Sequence, residues 1–526
     1  MMDAYKRANE ALHPPASAVE RAVRRAAAGA RLRKKRRPLR AVIPAGVAAV
    51  LAAVLLITGI PGLGGGGITA SAVCALAEPA YPDLPHAPAE PATADDAAWK
   101  QFNEDYDACW QAWRDFRNEA PGLEEQAGLL SALADFSAES TTLALAGEGN
   151  GVYSPISLWF ALAMLAETTD GDSRQEILDA LGAEDVEQLR SWADSLWHDL
   201  YTEDGTASVL LGTSMWLNQG VDFNQGTLDA LAEHYYAASY QAPMGTDAAD
   251  QALTDWTAEQ TRGLIGSDGK VLETTPDTLM VLASTLYVMG RWNTEFQPED
   301  NTDDVFTAAD GTEQEAEFMH RIENAYFLSR EGYQAASLHS SAGEVVFVLP
   351  DEGVSPRELL ADPEFLGSLD VYGDDGIYGE VRWSVPKFDV GSDLDLKSTL
   401  AGLGITSVLD TKTADFSPLT GTEPVWLDQA KQIARVQVDE QGIVAAAVTL
   451  LGLGDGGPEV DPRICVMDLD RPFLFVVRSN NDVNLFVGVV DSPLYVGTDR
   501  GSSTLGGGSV DAYVYLPREN FDLDYY

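Results

Sequence analysis

From residue 442 to residue 454 the chain reads Gly-Ile-Val-Ala-Ala-Ala-Val-Thr-Leu-Leu-Gly-Leu-Gly, with no charge, in a protein where 22% of residues are charged. Read with period two, one face is Ile443, Ala445, Ala447, Thr449, Leu451 and Leu453, and the other is Val444, Ala446, Val448, Leu450, Gly452 and Gly454. Either face could lie inside a sheet. Yet Asp455-Gly456-Gly457-Pro458 follows at once, a turn-forming cluster that a central strand would not tolerate. The segment is strand material placed in a loop, so the fold must supply a sheet that could receive it.

The 526 residues, 45% of them apolar, can bury a large core. The formal charge of -48 is uneven: residues 1–40 hold 12 Lys+Arg against 3 Asp+Glu, and the acidic excess lies beyond them. Such a body repels nucleic acid, whose binding depends on phosphate neutralisation, and a nucleic-acid partner is excluded. Residues 41–60 carry no charged side chain, enough for a helix to cross a hydrocarbon core of roughly 30 Å. The basic run at 31–40 before them puts the N-terminus in the cytoplasm and the bulk of the protein outside. Cys74, Cys109 and Cys465 are too few and too scattered for a disulfide framework or a zinc site, though one bridge, Cys74 to Cys109, is open.

Along the chain this predicts a basic cytoplasmic stub at 1–40 and a membrane-spanning helix at 41–63. An Ala/Pro-rich stalk with an aromatic helix at 64–123, one domain at 124–493, and a Gly/Ser linker with an acidic-aromatic tail at 494–526 complete it. Trp99, Phe102, Tyr106, Trp110, Trp113 and Phe116 recur at helical spacing and form a stripe expected to dock on the neighbouring domain. Within 124–493, helices are predicted at 124–145, 154–168, 173–181 and 225–236. Strands are predicted at 279–289, 344–349, 379–385, 432–438, 473–477 and 483–490. The fold class is α+β.

Catalytic motifs are missing. No serine lies in G-x-S-x-G, and no H-E-x-x-H occurs among the six histidines. The Gly263–Lys270 region has phosphate-loop glycines at the wrong spacing, with Val271 where a magnesium-binding hydroxyl should stand. No enzyme activity, cofactor or metal set is expected.

Asn150-Gly151-Val152-Tyr153-Ser154-Pro155-Ile156-Ser157 and the apolar helix after it resemble the N-x-x-x-S-P-L-S motif of the serpin family. Leu282–Trp292, Phe347-Val348-Leu349-Pro350, Val385-Pro386-Lys387-Phe388 and Ala414-Asp415-Phe416-Ser417 follow in the family's order. Asp439-Glu440-Gln441-Gly442 and the alanines after it resemble the hinge of the serpin reactive loop, and Asp470-Arg471-Pro472-Phe473 the strand beyond it. The resemblance covers 124–493. It implies the serpin fold, with multi-stranded mixed sheets, roughly nine helices and an exposed reactive loop. It also implies a mechanism in which a protease cuts the loop and the cut loop inserts into the central sheet, trapping the acyl-enzyme.

By the same resemblance the hinge is Glu440, Gln441, Gly442, Ile443, Val444, Ala445, Ala446, Ala447, Val448 and Thr449. Asn150, Ser154, Pro155, Ser157 and Gln432 form the shutter beneath the sheet. Gln432 stands where the family places a histidine, which keeps a hydrogen bond and removes pH sensing; Arg435 stands where an aromatic is frequent, and Ile443 where Thr or Ser is usual, a bulkier residue to push into a closed sheet. Counting forward from Gly442 gives cleavage after Gly456, and counting back from Pro472 gives Asp461. Gly456, Gly457, Asp461 and Arg463 are therefore the candidate scissile region. The expectation is a monomeric, membrane-tethered, extracytoplasmic inhibitor from a bacterium, its partner a serine or cysteine protease. The alternative is a non-inhibitory binding or sensor module at the cell surface.

Overall fold

The computed structural model describes residues 73–89, 91, 96–266, 270–421, 425–427, 429–443 and 463–493. The predicted membrane-spanning helix 41–63, the basic residues 1–40 and the predicted tail 494–526 lie outside them. No helix among the described residues is long and apolar enough to cross a membrane.

Nine α-helices are found among the described residues: α1 (Asp96–Arg117), α2 (Leu129–Ala144), α3 (Pro155–Thr168), α4 (Gly171–Leu181), α5 (Val186–Leu200), α6 (Gln225–His234), α7 (Asp247–Gln260), α8 (Pro356–Leu360) and α9 (Lys397–Gly402). The strands are β1 (Cys74–Ala77), β2 (Gly151–Tyr153), β3 (Thr202–Glu203), β4 (Ala207–Asn218), β5 (Ala237–Ala242), β6 (Met280–Arg291), β7 (Thr302–Thr307), β8 (Glu313–Arg330) and β9 (Tyr333–Ser340). They continue with β10 (Gly343–Pro350), β11 (Ile377–Pro386), β12 (Phe388–Asp395), β13 (Lys431–Asp439), β14 (Gly442–Ile443), β15 (Ile464–Asp468), β16 (Phe473–Arg478) and β17 (Asn484–Val490). An eight-stranded sheet runs β1-β5-β4-β6-β14-β13-β12 with β3 on β4, and a nine-stranded sheet runs β15-β11-β8-β9-β10-β16-β17-β2 with β7 on β8. All pairs are antiparallel except β4–β5 and β11–β15.

Helix α3 is the centre of the core. Every residue from Pro155 to Thr168 except Ala161 is buried, as an all-round apolar sequence requires. Its start is fixed locally: Ser154 Oγ accepts from the Ser157 N–H at 3.3 Å, and Pro155 occupies the first turn, where its missing N–H costs nothing.

The predicted strands are all present, extended by one or two residues in most cases, and the long β4 and β8, with helices α5 and α7, are additional. The helix predicted at 124–145 is in fact two pieces, a 3₁₀ turn at Leu123–Glu125 and α2. Gly128 takes a left-handed φ of 81° between them, and the Gln126 side chain turns aside to the hydroxyls of Ser191 and Ser195, 2.8 Å away.

The segment expected to be a loose stalk is packed. β1 pairs with β5 at the edge of the eight-stranded sheet. Tyr81 lies against Trp197 and Tyr201, and the Ala87 N–H donates to Asp204 O at 2.6 Å. The aromatic stripe of α1 divides: Trp113 and Phe116 are buried against Trp197, His198 and Tyr201, whereas Trp99 and Trp110 are exposed. The Cys74–Cys109 bridge is not formed. Cys74 is exposed on β1, and Cys109 is buried on α1 with its Sγ 3.2 Å from Pro85 O.

Candidate functional site

The hinge enters the eight-stranded sheet as β14, only two residues long. Gly442 is in register with Arg291 of β6 and Asp439 of β13, and Ile443 with Gly290 and Val438. The expectation of a sheet closed ahead of Ile443 is therefore corrected: at this end β6 and β13 are already parted by hinge backbone. Gly442 has φ 154°, and a Cβ on it would lie 2.8 Å from Arg291 Cα and closer still to Gly290 O. Only glycine fits this crossing.

The turn before the hinge is bound on all sides. Trp292, buried just after β6, receives its place from two bonds, its N–H to Gln441 O at 3.0 Å and its Nε1–H to Asp439 O at 2.9 Å. The Phe296 N–H donates to Glu440 O at 2.9 Å, and the Gln441 N–H to Asp439 Oδ1 at 2.8 Å. Glu440 Oε1 accepts from Lys387 Nζ at 3.1 Å and from Asn301 Nδ2 at 2.7 Å. Burial opposes ionisation of Glu440, but its own backbone N–H, Lys387 and Asn301 together hold its carboxyl below the usual range. Burial likewise works against the charge on Lys387, and Glu440 with Glu317 outweighs it, raising the ammonium above its ordinary value.

Beyond Ile443, β6 and β13 face each other across a cavity of 640 Å³. Met280–Thr285 of β6 and Lys431–Ile433 of β13 form its sides, and Leu158, Leu162 and Leu165 of α3 its floor. β6 is paired along its outer edge with β4, and β13 along its outer edge with β12. Among the described residues no strand other than β14 lies between them. The cavity is thus shaped as a strand slot in a sheet, with an apolar helix beneath it.

At the far end of the slot, Gln432 grips the start of α3. Its Oε1 accepts from the Ser154 N–H at 2.7 Å and its Nε2 donates to Ser154 O at 2.9 Å, all buried. The hydroxyls of Ser154 and Ser157 bond each other at 2.9 Å. Ser154, Pro155, Ser157 and Gln432 are therefore gathered in one place, and Gln432 holds the main chain of Ser154 rather than the hydroxyls. Asn150 is not part of this cluster: its Oδ1 accepts from the N–H groups of Asp491 and Ser492 at 2.8 and 2.9 Å, and its Nδ2 donates to Ser492 O at 2.7 Å. Arg435 makes a two-pronged pair with Asp389 of β12, Nε to Oδ1 at 2.8 Å and Nη2 to Oδ2 at 2.7 Å.

Val444, Ala445, Ala446, Ala447, Val448, Thr449, Gly456, Gly457 and Asp461 lie outside the described residues. Arg463 stands at the returning end of the loop, exposed, with its carbonyl bonded to the Glu380 N–H at 2.8 Å. Sequence reasoning missed the roles of Trp292, Asn301 and Lys387. Lys387 could have been noticed as a cation at the corner between two strand stretches in a chain with 82 acidic residues against 34 basic ones.

A second cavity, of 470 Å³, is lined by Leu133, Phe136, Ile156, Tyr372, Glu344 and Arg478 among others. Arg478 donates to the carbonyls of Leu366 and Leu369, both at 2.9 Å, while the buried Glu344 Oε2 has no hydrogen-bond partner among the described residues.

The family described as Serpin (serine protease inhibitor) matches residues 132–493. Alpha-1-antiproteinase 2 of Equus caballus is 26% identical over 355 residues, covering 65% of this chain and 82% of that protein. Plasminogen activator inhibitor 1 of Sus scrofa is 26% identical over 357 residues, covering 65% of this chain and 87% of that protein. Among solved structures, the thermophilic serpin tengpin in its native state superposes with a TM-score of 0.61 at 25% identity, covering 69% of this chain and 93% of that one. With the motifs in order, the two sheets in place and the hinge set at the mouth of the slot, the chain belongs to the serpin family.

Proposed function

We propose that the protein is a suicide inhibitor of serine proteases, and that it traps the acyl-enzyme by inserting its cleaved loop between β6 and β13. The observation that carries this is the pairing of Gly442 and Ile443 on both sides at the head of the slot. Continued, that register sets Ala445 against Val288 and Val436, Ala447 against Leu286 and Ala434, and Thr449 against Ser284 and Gln432. Val288, Leu286, Val436, Ala434 and Gln432 are all buried, so the inward positions are those that the sequence leaves small and uncharged. Insertion to Thr449 reaches Gln432, and with it the contact that holds α3.

In this mechanism the protease nucleophile attacks the scissile carbonyl, the new amine end leaves, and the loop remains bonded to the enzyme as an ester. Insertion then carries the ester and the enzyme away from the loop's starting position before water can hydrolyse the bond. The scissile bond lies in this reading among Gly456, Gly457, Asp461 and Arg463. The basic stub and the apolar run at 41–63 support a single-pass tether with the inhibitor outside the membrane, and on the stub and lone anchor we place it on a bacterial surface. A serine protease is the partner and the inhibitor acts as a monomer.

Incubation with trypsin, elastase and subtilisin tests the reading. A complex that survives SDS supports it; cleavage by all three with no such complex contradicts it. The second reading, a non-inhibitory ligand-binding or sensor module, is favoured by the 470 Å³ cavity beside Glu344, whose buried Oε2 accepts no hydrogen bond among the described residues and has His339 Nδ1 4.0 Å away, and it is the reading left standing if no complex forms.

A further inference from the structure

The nine-stranded sheet ends at β15, and the outer face there carries more exposed apolar surface than its position in the core accounts for. Ile464 and Val466 of β15 register with Glu380 and Arg382 of β11, which register with Asn324 and Ile322 of β8. Tyr378 and Tyr326 pair beside them, with ring centroids 5.2 Å apart. Facing residues share a side of the sheet, so Ile322, Tyr326, Tyr378, Ile464 and Val466, between 41% and 66% exposed, lie on one face, with the Glu380–Arg382 ion pair between β15 and β8. Cys465, Val381 and Trp383, on the reverse face, are buried as a core requires.

The strand's free edge faces the same way outward. The Glu380 N–H donates to Arg463 O at 2.8 Å and the Leu469 N–H to Ser384 O at 2.9 Å. In a parallel ladder alternate residues bond the neighbour, so 463, 465, 467 and 469 face β11. The backbone N–H and C=O groups of Ile464, Val466 and Asp468 then point away, and among the described residues no strand pairs with them. An edge of this kind, with exposed apolar side chains, is a template for one more strand.

We propose that the occupant is the chain's own tail, with residues 513–516 adding an antiparallel strand to β15. Tyr513-Val514-Tyr515-Leu516 alternates aromatic with aliphatic residues, and Pro517 ends its capacity to donate to a ladder. The tail is rooted within reach. Ser492 Oγ donates to Gln314 Oε1 on β8 at 2.7 Å, and Ile322 lies eight residues further along that strand. This is about 26 Å at the strand rise, with β15 two strand spacings, about 10 Å, to the side. The residues from Ser492 to Tyr513 can extend to about 70 Å.

Charge agrees with the placement. In a chain of net charge -48, whose acidic excess lies beyond residue 40, an acidic tail meets repulsion over most of the surface. Here Glu380 is already neutralised by Arg382 at 2.7 Å, and the antiparallel direction brings Glu519 to the end of β15 where Arg463 is exposed. The tether raises the local concentration of the strand to about the millimolar range and makes the pairing intramolecular, so that it does not depend on protein concentration. Tail docking also shields the edge from pairing with a second copy.

Hydrogen exchange read by mass spectrometry on the full chain in mild detergent decides the matter. Peptides spanning 463–469 should exchange at least about tenfold faster when residues 511–526 are deleted, with β16 unchanged as the control for intact folding. Val514→Pro should behave as the deletion does, and a synthetic peptide of residues 511–526 should restore protection to the deleted chain. Equal exchange with and without the tail overturns the proposal. So does protection that falls on dilution of the full chain, which assigns the edge to a second copy, or protection that survives the deletion, which assigns it to the reactive loop.

Discussion

Gly442 and Gly290 meet backbone to backbone where the hinge enters the sheet, and neither has room for a side chain. A Cβ on Gly290 would lie 2.7 Å from Ala342 Cβ, and one on Gly442 would strike the Gly290 carbonyl. Gly442→Val should therefore expel β14 from between β6 and β13, at about 1–3 kcal/mol for the strained position. Hydrogen exchange across 438–443 should quicken at least about tenfold, and inhibition should give way to simple cleavage of the loop.

Lys387 and Glu440 make the hinge sensitive to pH at both extremes. Glu440 ionises more readily when folded, so its contribution is present above an unfolded pKa of about 4.3 and is lost as pH falls through its lower folded value. Lys387 is shifted up, so its contribution is present below about 10.4 and is lost as pH rises through its higher folded value. Glu440→Gln should lower the unfolding temperature at neutral pH, equivalent to about 2 kcal/mol for a half-buried charged pair, and the difference from wild type should shrink below about pH 4.

Gln432→Leu keeps the volume and removes both bonds to Ser154. It leaves a buried N–H and a buried C=O without partners, for a loss of about 2–4 kcal/mol in chemical denaturation. Because that contact ties β13 to α3 at the foot of the slot, the variant should also accept a synthetic peptide of residues 443–454 into the sheet faster than wild type. Equal uptake would separate Gln432 from control of the slot.

Trp113→Ala should free α1 from the domain. The indole is buried and its Nε1–H donates to Pro85 O at 2.9 Å, so the change costs about 3–5 kcal/mol of docking and exposes α1 to limited proteolysis. Trp110→Ala, on the exposed face of the same helix, should leave proteolysis unchanged within about 0.5 kcal/mol.

Strands such as β10, β16 and β17 were legible because their apolar runs are short, rich in Val and Phe, and bounded by turn-forming or polar residues. Helix α3 was legible from its Ser-Pro start and its apolar length. The packing of residues 73–89 was not, because Ala/Pro composition reads as extended chain, and what holds it is the pairing of β1 with β5, the Tyr81 hydroxyl donating to Tyr236 O and the Ala87 N–H donating to Asp204 O, all partners more than a hundred residues away. Of the hinge, the sequence shows Gly442 and the small residues after it. It does not show Trp292, Asn301 or Lys387, whose side chains meet the hinge only through the return of β6, the turn before β7 and the β11–β12 corner. Asn150, adjacent to the shutter in sequence, turns instead to Asp491 and Ser492, a direction that spacing alone cannot give.

The central claim is that the loop beginning at Gly442 is a strand waiting for the slot between β6 and β13. Thermal unfolding of the chain before and after a single cut in residues 456–463 measures this directly. Insertion should raise the unfolding midpoint by at least about 10 °C, since each added kcal/mol moves a domain of this size by a few degrees. An unchanged midpoint, with the cut confirmed by N-terminal sequencing of the released peptide, would contradict it.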